Sequence, residues 1–369
     1  MPTLIHQLLS HNAQQSPNQV AIIHKQNTLN YQQLNTQASK QAQALINLQL
    51  KPSQRVAIYL PKQIETITSF FSICQAGGVF VPVNPVLKAA QVSHILNDCN
   101  VQILITSKSR LQSLEKTLSN CLDLHTIILV DNETGNIDFH PKKQILSWQE
   151  FLSHANNQTM PSLIDTSMAA ILYTSGSTGK PKGVVLSHLN IVAGAESVAQ
   201  YLENGPDDRI LSVLPLSFDY GFNQLTTAFH TRATCVLSNH LFPREIIEII
   251  QAEEISGLGA VPPLWIQLAQ LNWPKITSLR YITNSGGAMP QATIGMLRGI
   301  LPKTKIFLMY GLTEAFRSTY LSPQEIDIRP NSIGKAIPNA EVLVLREDGT
   351  ECAPGEPGEL VHRGALVSM

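Results

Sequence analysis

The sequence predicts an α/β fold: two stacked αβα subdomains with mainly parallel sheets, followed by a small β-barrel-like piece. Three observations predict it. Short apolar runs alternate with amphipathic stretches along most of the chain. Three of those runs end directly in loops rich in small residues. Beyond Ile333 the texture changes to short runs separated by Gly- and Pro-containing turns.

From the amino end, Leu4, Ile5, Leu8 and Leu9 share one face of a first helix. Strands over 20–23 and near Leu29 precede a helix over 31–48, a buried strand over 55–60 and a helix over 63–76. Gly77-Gly78 then leads into the apolar run 79–83. Between about Asp131 and Thr166 the sequence turns polar and loses clean periodicity, which marks a seam between subdomains 1–165 and 166–332. In the β-rich segment 333–369, runs over 341–345 and 359–362 are separated by Glu347-Asp348-Gly349 and by Ala353-Pro354-Gly355-Glu356-Pro357-Gly358, as in hairpins.

The 369 residues are 43% hydrophobic, 14% charged and carry a net charge of −1, so a sizeable core is available. No sustained Lys/Arg run is present, which argues against nucleic acid as a partner. Cys74, Cys99, Cys121, Cys235 and Cys352 are scattered and odd in number, without a CxxC pair. Reduced thiols in a cytoplasmic protein fit them better than zinc or disulfides. No stretch approaches the roughly 20 apolar residues of a membrane span, and the amino terminus has no signal-peptide pattern.

The three loops carry the chemistry. An apolar run over 169–173 leads into Thr174-Ser175-Gly176-Ser177-Thr178-Gly179-Lys180-Pro181-Lys182-Gly183. A strand over 280–283 leads into Asn284-Ser285-Gly286-Gly287-Ala288, and one over 305–309 into Tyr310-Gly311-Leu312-Thr313-Glu314. Ligands of α/β sheets bind beyond the carboxyl ends of parallel strands. In the first loop, glycines free backbone N–H groups for an anion, hydroxyls add donors, and Lys182 supplies a full charge for a departing pyrophosphate. Counting a Walker A pattern from Gly176 puts Pro181 where the second glycine belongs, so an ordinary P-loop ATPase is disfavoured.

YTSGSTGKPKG followed by YGLTE, with the later GELVHRG, resembles the adenylate-forming (AMP-dependent synthetase/ligase) superfamily of acyl-CoA synthetases, luciferases and adenylation domains of peptide synthetases. The resemblance runs from the first helix to the last residue. It implies that Thr174, Ser175, Gly176, Ser177, Thr178, Gly179 and Lys182 hold the β- and γ-phosphates of ATP. It implies that Gly286, Gly287 and Ala288 line the adenine and acyl pocket, that Tyr310 beside Gly311 stacks on adenine, that Thr313 touches the α-phosphate, and that Glu314 holds Mg²⁺. The competing readings are a core aromatic for Tyr310 and a helix-start carboxylate for Glu314.

The implied reaction activates a carboxylic acid as its acyl-adenylate with release of pyrophosphate. A thiol of CoA, or of the phosphopantetheine arm of an acyl or peptidyl carrier protein, then displaces AMP. Positioned donors, Lys182 and Mg²⁺ oppose the charge that builds on pyrophosphate. No enzyme nucleophile is required, and Ser187 before His188 reads as a helix N-cap.

Pro215-Leu216-Ser217-Phe218-Asp219-Tyr220-Gly221-Phe222 is the segment that bears on the acid. Many acyl-CoA ligases have histidine where Phe218 stands. Asp219 falls where amino-acid-activating relatives place the partner of the α-ammonium; a turn or rim carboxylate is the alternative. Phe222, Trp265 and Ala288 are candidates for shaping the acyl pocket. The flanking LPLSFDYGFNQLTTAFH, NSGGAMP and MYGLTEAFRSTY are similar to acyl-CoA ligases found with exosortase systems and to ligases that load amino acids onto carrier proteins.

Members of the superfamily continue with a TGD strand, a hinge and a small mobile domain carrying a catalytic lysine. The sequence stops at Ser368-Met369. On this resemblance the 369 residues are expected to bind ATP weakly and to complete little thioester formation; a catalytically incomplete nucleotide-binding fragment is the alternative.

Overall fold

Apolar runs flanked by helices become strands buried on both faces, as parallel sheets covered by helices require. The structure, a computed structural model, describes residues 1–131, 143–174 and 181–369. It contains two compact units: Met1–His188 with Pro215–Asp219 and Met369, and Leu189–Leu214 with Tyr220–Ser368.

In the first unit, helix α1 (Gln7–Gln15) is followed by the antiparallel pair β1 (Val20–His24) and β2 (Asn27–Asn30). Helix α2 (Tyr31–Asn47) starts at a capping box in which Asn30 and Gln33 bond reciprocally to each other's backbone. A seven-stranded sheet is then built from β3 (Arg55–Tyr59), β4 (Val79–Pro82), β5 (Val101–Thr106), β6 (Thr126–Leu129), β7 (Gln144–Ser147), β8 (Met168–Thr174) and β9 (Lys182–Ser187), in the order β7-β6-β5-β3-β4-β8-β9. All its pairings are parallel except β8 with β9. The crossovers are α3 (Ile64–Gln75), α4 (Ala89–Asp98), α5 (Lys108–Leu114) and α6 (Trp148–Ser153). Its core includes Val79, Val81, Ile95, Leu96, Leu104 and Ile127.

The stretch from 131 to 166 carries more structure than its polarity suggests. Both β7 and α6 lie in it, the helix opened by a Ser147–Glu150 capping box. The Ser-x-x-Glu spacing is a sequence signal for that start.

The second unit begins with the body of α7 (His188–Leu202). Its strands are β10 (Arg209–Ser212), β11 (Thr234–Leu237), β12 (Gly257–Ala260), β13 (Tyr281–Asn284), β14 (Lys305–Tyr310), β15 (Thr319–Leu321) and β16 (Lys335–Ala336). The order β16-β15-β14-β13-β12-β10-β11 is parallel from β11 to β14 and antiparallel beyond. Helices α8 (Asp219–His230), α9 (Pro243–Ala252), α10 (Pro262–Ala269) and α11 (Gln291–Ile300) connect them. Because β10 leads to β11 on one side while β12 leads to β13 on the other, the topological switch point lies between β10 and β12. The expected β-rich piece is a two-stranded antiparallel ladder of β17 (Ala340–Leu345) and β18 (Glu359–Gly364).

The chain entry is tied down by a histidine. His188 is buried, and its Nδ1 accepts the Ile5 backbone N–H at 3.2 Å. Burial, with a smaller contribution from His6, holds the His188 imidazole down at about 4; burial holds His6 at about 4 as well. The unfolded chain therefore takes up protons between pH 6.5 and 4 that the folded chain refuses, so stability is lost as pH falls through that window. Protonating Nδ1 would also remove the acceptor for Ile5. Thermal melts across that window should show a loss of roughly 3 kcal/mol attributable to His188. The variant His188→Gln should flatten the slope; an unchanged slope would refute the assignment.

Candidate active site

Within the first unit, the loop that reads as a phosphate cradle joins two antiparallel neighbours. Thr174 ends β8, Lys182 begins β9, and the two are paired in register. Lys182 is exposed and Thr174 is half-buried. The sequence-predicted Ser175, Gly176, Ser177, Thr178 and Gly179 lie outside the described residues. The strand end is braced by Tyr173, whose hydroxyl donates to Asp98 Oδ2 at 2.6 Å; burial pushes its pKa well up, so it stays a donor. His94 Nε2 reaches the Pro181 carbonyl at 3.3 Å, holding the far side of the loop.

Phe218 and Asp219 also fall in this unit. Phe218 is at the surface, whereas Asp219 is buried as the first residue of α8. A carboxylate there is favoured by the helix dipole whatever else it meets.

Within the second unit, the other two loops come together at the carboxyl ends of neighbouring parallel strands. A cavity of about 700 Å³ is lined by Asn284, Gly286, Gly287 and Ala288 after β13 and by Tyr310 and Gly311 after β14. Gly286, Gly287 and Gly311 are among its lining residues. Gly286 takes a φ of +79°, and the Asn284 side chain donates to the Gly287 carbonyl at 2.9 Å, fixing the turn. Tyr310 is half-buried at the wall.

The β14–β15 connection carries Thr313 and Glu314 on a single 3₁₀ turn, Thr313–Ala315. Thr313 is buried and Glu314 is exposed. The Glu314 carbonyl accepts the Ser368 N–H at 2.7 Å, so its backbone is pinned while its carboxylate is open. Phe316 follows with φ of 53°, an uncommon conformation for a bulky residue, yet it is fully buried. Its ring lies against the backbone of Gly194 on α7, where an added Cβ would collide with it.

A second, smaller cavity of about 20 Å³ lies beneath the switch point. Ile210 of β10, Gly259 of β12, Thr283 of β13 and Met309 of β14 line it, as do Tyr220, Asn223, Gln224 and Thr227 of α8. Met309 belongs to the larger cavity as well. The sequence reading missed this polar face; the signal for it was polar side chains at i, i+3, i+4 and i+7 of an otherwise apolar helix. It also missed Arg317, which is 1% exposed. The Arg317 guanidinium lies over the Tyr220 ring and donates to Ser285 Oγ at 3.3 Å.

Two predicted pocket residues sit elsewhere. Phe222 is fully buried and lines neither cavity. Trp265 is equally buried, and its indole N–H donates to the carbonyls of Ala260 at 3.1 Å and Thr283 at 3.0 Å. It clamps the ends of β12 and β13 from the core.

Among the described residues no helix is long and apolar enough to cross a membrane. Comparison with known proteins agrees with the architecture. The chain is 28% identical over 98% of its length to bacitracin synthase 3 of Bacillus licheniformis, of which it spans 5%. It is 26% identical to the L-proline–[L-prolyl-carrier protein] ligase of Pseudomonas fluorescens, covering 99% of this chain and 73% of that one. The crystal structure of VinN, also solved in complex with L-aspartate, superposes with a TM-score of 0.86 at 26% identity, over 99% of this chain and 89% of that one. The chain thus spans a small part of the length of the first of these relatives. The model of the AMP-binding enzyme family matches residues 9–369, and the chain belongs to that family.

Proposed function

We propose that this chain activates a carboxylic acid with ATP, forming an acyl-adenylate and pyrophosphate, for transfer to the thiol of CoA or of a carrier-protein phosphopantetheine. The observation that carries the reading is the glycine-containing cavity at the ends of β13 and β14, with Tyr310 in its wall and Thr313-Glu314 on the turn that follows β14. Its size suits a nucleotide, and the glycines in its lining, having no side chain, let a flat base approach closely.

In this reading the acid's carboxylate attacks the α-phosphorus, and pyrophosphate leaves. The barrier is mainly anion repulsion, which fixed positive groups relieve. The role assigned to Lys182 is to offset charge on the leaving pyrophosphate, and that of Thr313 is to donate to the α-phosphate. No cluster of three His, Cys, Asp or Glu side chains is present among the described residues. That suits Mg²⁺, which takes one or two carboxylates and completes its shell with phosphate oxygens and water. Glu314 would supply the carboxylate, and the ion would neutralise phosphate charge.

Amino-acid activation for a carrier protein is a specific version of the same reading. It is supported by the burial of Asp219, the carrier-protein ligase among the relatives, and the L-aspartate complex of VinN. The scattered, odd-numbered cysteines, four of the five buried, support a cytosolic setting.

Acid-dependent exchange of labelled pyrophosphate into ATP tests the proposal. Exchange with at least one of a broad panel of fatty, aryl and amino acids is expected. No exchange with any would reject it. Asp219→Ala should abolish exchange with amino acids selectively; unchanged amino-acid exchange would remove the ammonium role.

A further inference from the structure

The small cavity beneath the switch point is chemically unlike its surroundings. Three of its lining residues each carry a buried side-chain atom with no hydrogen-bond partner: Asn223 Nδ2, Gln224 Oε1 and Thr227 Oγ1. All three residues are more than nine-tenths buried. Burying such groups unsatisfied is costly, and native structures rarely tolerate several at one place without an occupant.

The set defines the occupant's chemistry. The Gln224 amide nitrogen is committed to the Gly259 carbonyl at 2.8 Å, which leaves its oxygen as an acceptor toward the cavity. Asn223 presents a donor, and the Thr227 hydroxyl serves as either. An occupant that both donates and accepts satisfies all three; a carboxylate would face the Gln224 oxygen, and a methyl group would satisfy none. About 20 Å³ holds one group the size of a hydroxyl, since a water needs roughly 10–15 Å³ by the same measure. Glycine at 259 keeps the space open: an added Cβ would lie 2.8 Å from both Thr283 Oγ1 and Tyr220 Oη, and closer still to the Gln224 amide nitrogen.

The cavity also lies where a substrate tail can reach it. It sits under the switch point, and Met309 is common to it and to the large cavity. Methionine is the side chain best able to move aside for a ligand. We propose that the acid activated here is short and carries a neutral hydroxyl on its tail, bound by Asn223, Gln224 and Thr227. The proposal rests on the ligase reading above and narrows its substrate class.

Matched pairs of acids test it in the pyrophosphate exchange assay: 3-hydroxybutyrate against butyrate, serine against alanine, threonine against 2-aminobutyrate. A site built around a substrate hydroxyl strongly rejects the analogue lacking it, because its own polar groups are left unpaired. The hydroxylated member of at least one pair should be preferred by about 10²-fold in kcat/KM. Thr227→Val, which removes a buried hydroxyl with little change of shape, should reduce that preference about tenfold, and an undiminished preference would overturn the proposal. Equal or greater activity with the deoxy acids would overturn the hydroxyl proposal and leave the ligase reading intact. So would a water retained in the cavity of an acyl-adenylate complex. Absence of exchange with every acid would overturn both.

Discussion

Lys182→Met should lower acid-dependent pyrophosphate exchange by about 10²–10³-fold, the range found when one preorganised charge-stabilising donor is removed. The fold should not notice. Lys182 is exposed at the first position of β9, and exposed substitutions away from special features usually change stability by less than about 0.5 kcal/mol. The contrast separates function from structure: lost exchange with an unchanged melting temperature supports a role on pyrophosphate. Unchanged exchange would remove Lys182 from the site. Lys182→Arg is a useful companion, because it keeps the charge but not its shape or reach. Partial activity there would assign the effect to charge rather than to a strand-end contact.

Trp265→Ala should destabilise the chain by about 3–5 kcal/mol, the range for truncating a large buried aromatic. Its indole is fully buried, and its N–H donates to a carbonyl at the end of each of β12 and β13, adding to the pairing between those strands. Trp265→Phe retains most of the bulk but leaves both carbonyls without that donor, at about 1–3 kcal/mol. Denaturant unfolding of the two variants measures both effects. A loss below about 1 kcal/mol in the alanine variant would mean that the strand ends are held by other contacts.

The fold was legible wherever an apolar run had clear punctuation. The run before Thr174 is β8, those before Ser285 and Gly311 are β13 and β14, and the runs read over 341–345 and 359–362 are the core of β17 and β18. Each stands beside glycine, proline or a polar turn, so period and boundary agree. The antiparallel return of β9 was not legible, because Lys182-Gly183 is a poor strand opening and only pairing to β8 holds it extended. The α8 cavity was hidden for another reason. Asn223, Gln224 and Thr227 read as an ordinary polar helix face, and only burial turns that face into a binding surface. Arg317 was hidden likewise, since nothing local in a sequence announces that a guanidinium will be 1% exposed.

The strained Phe316 ties the turn after β14 to helix α7. The turn bearing Thr313 and Glu314 takes its shape from a ring seated on bare backbone at Gly194, more than a hundred residues earlier. The turn that carries the Glu314 carboxylate is thus coupled to packing on α7. A side chain acquired there would present as an enzyme with every reactive group in its sequence and none of them properly aimed.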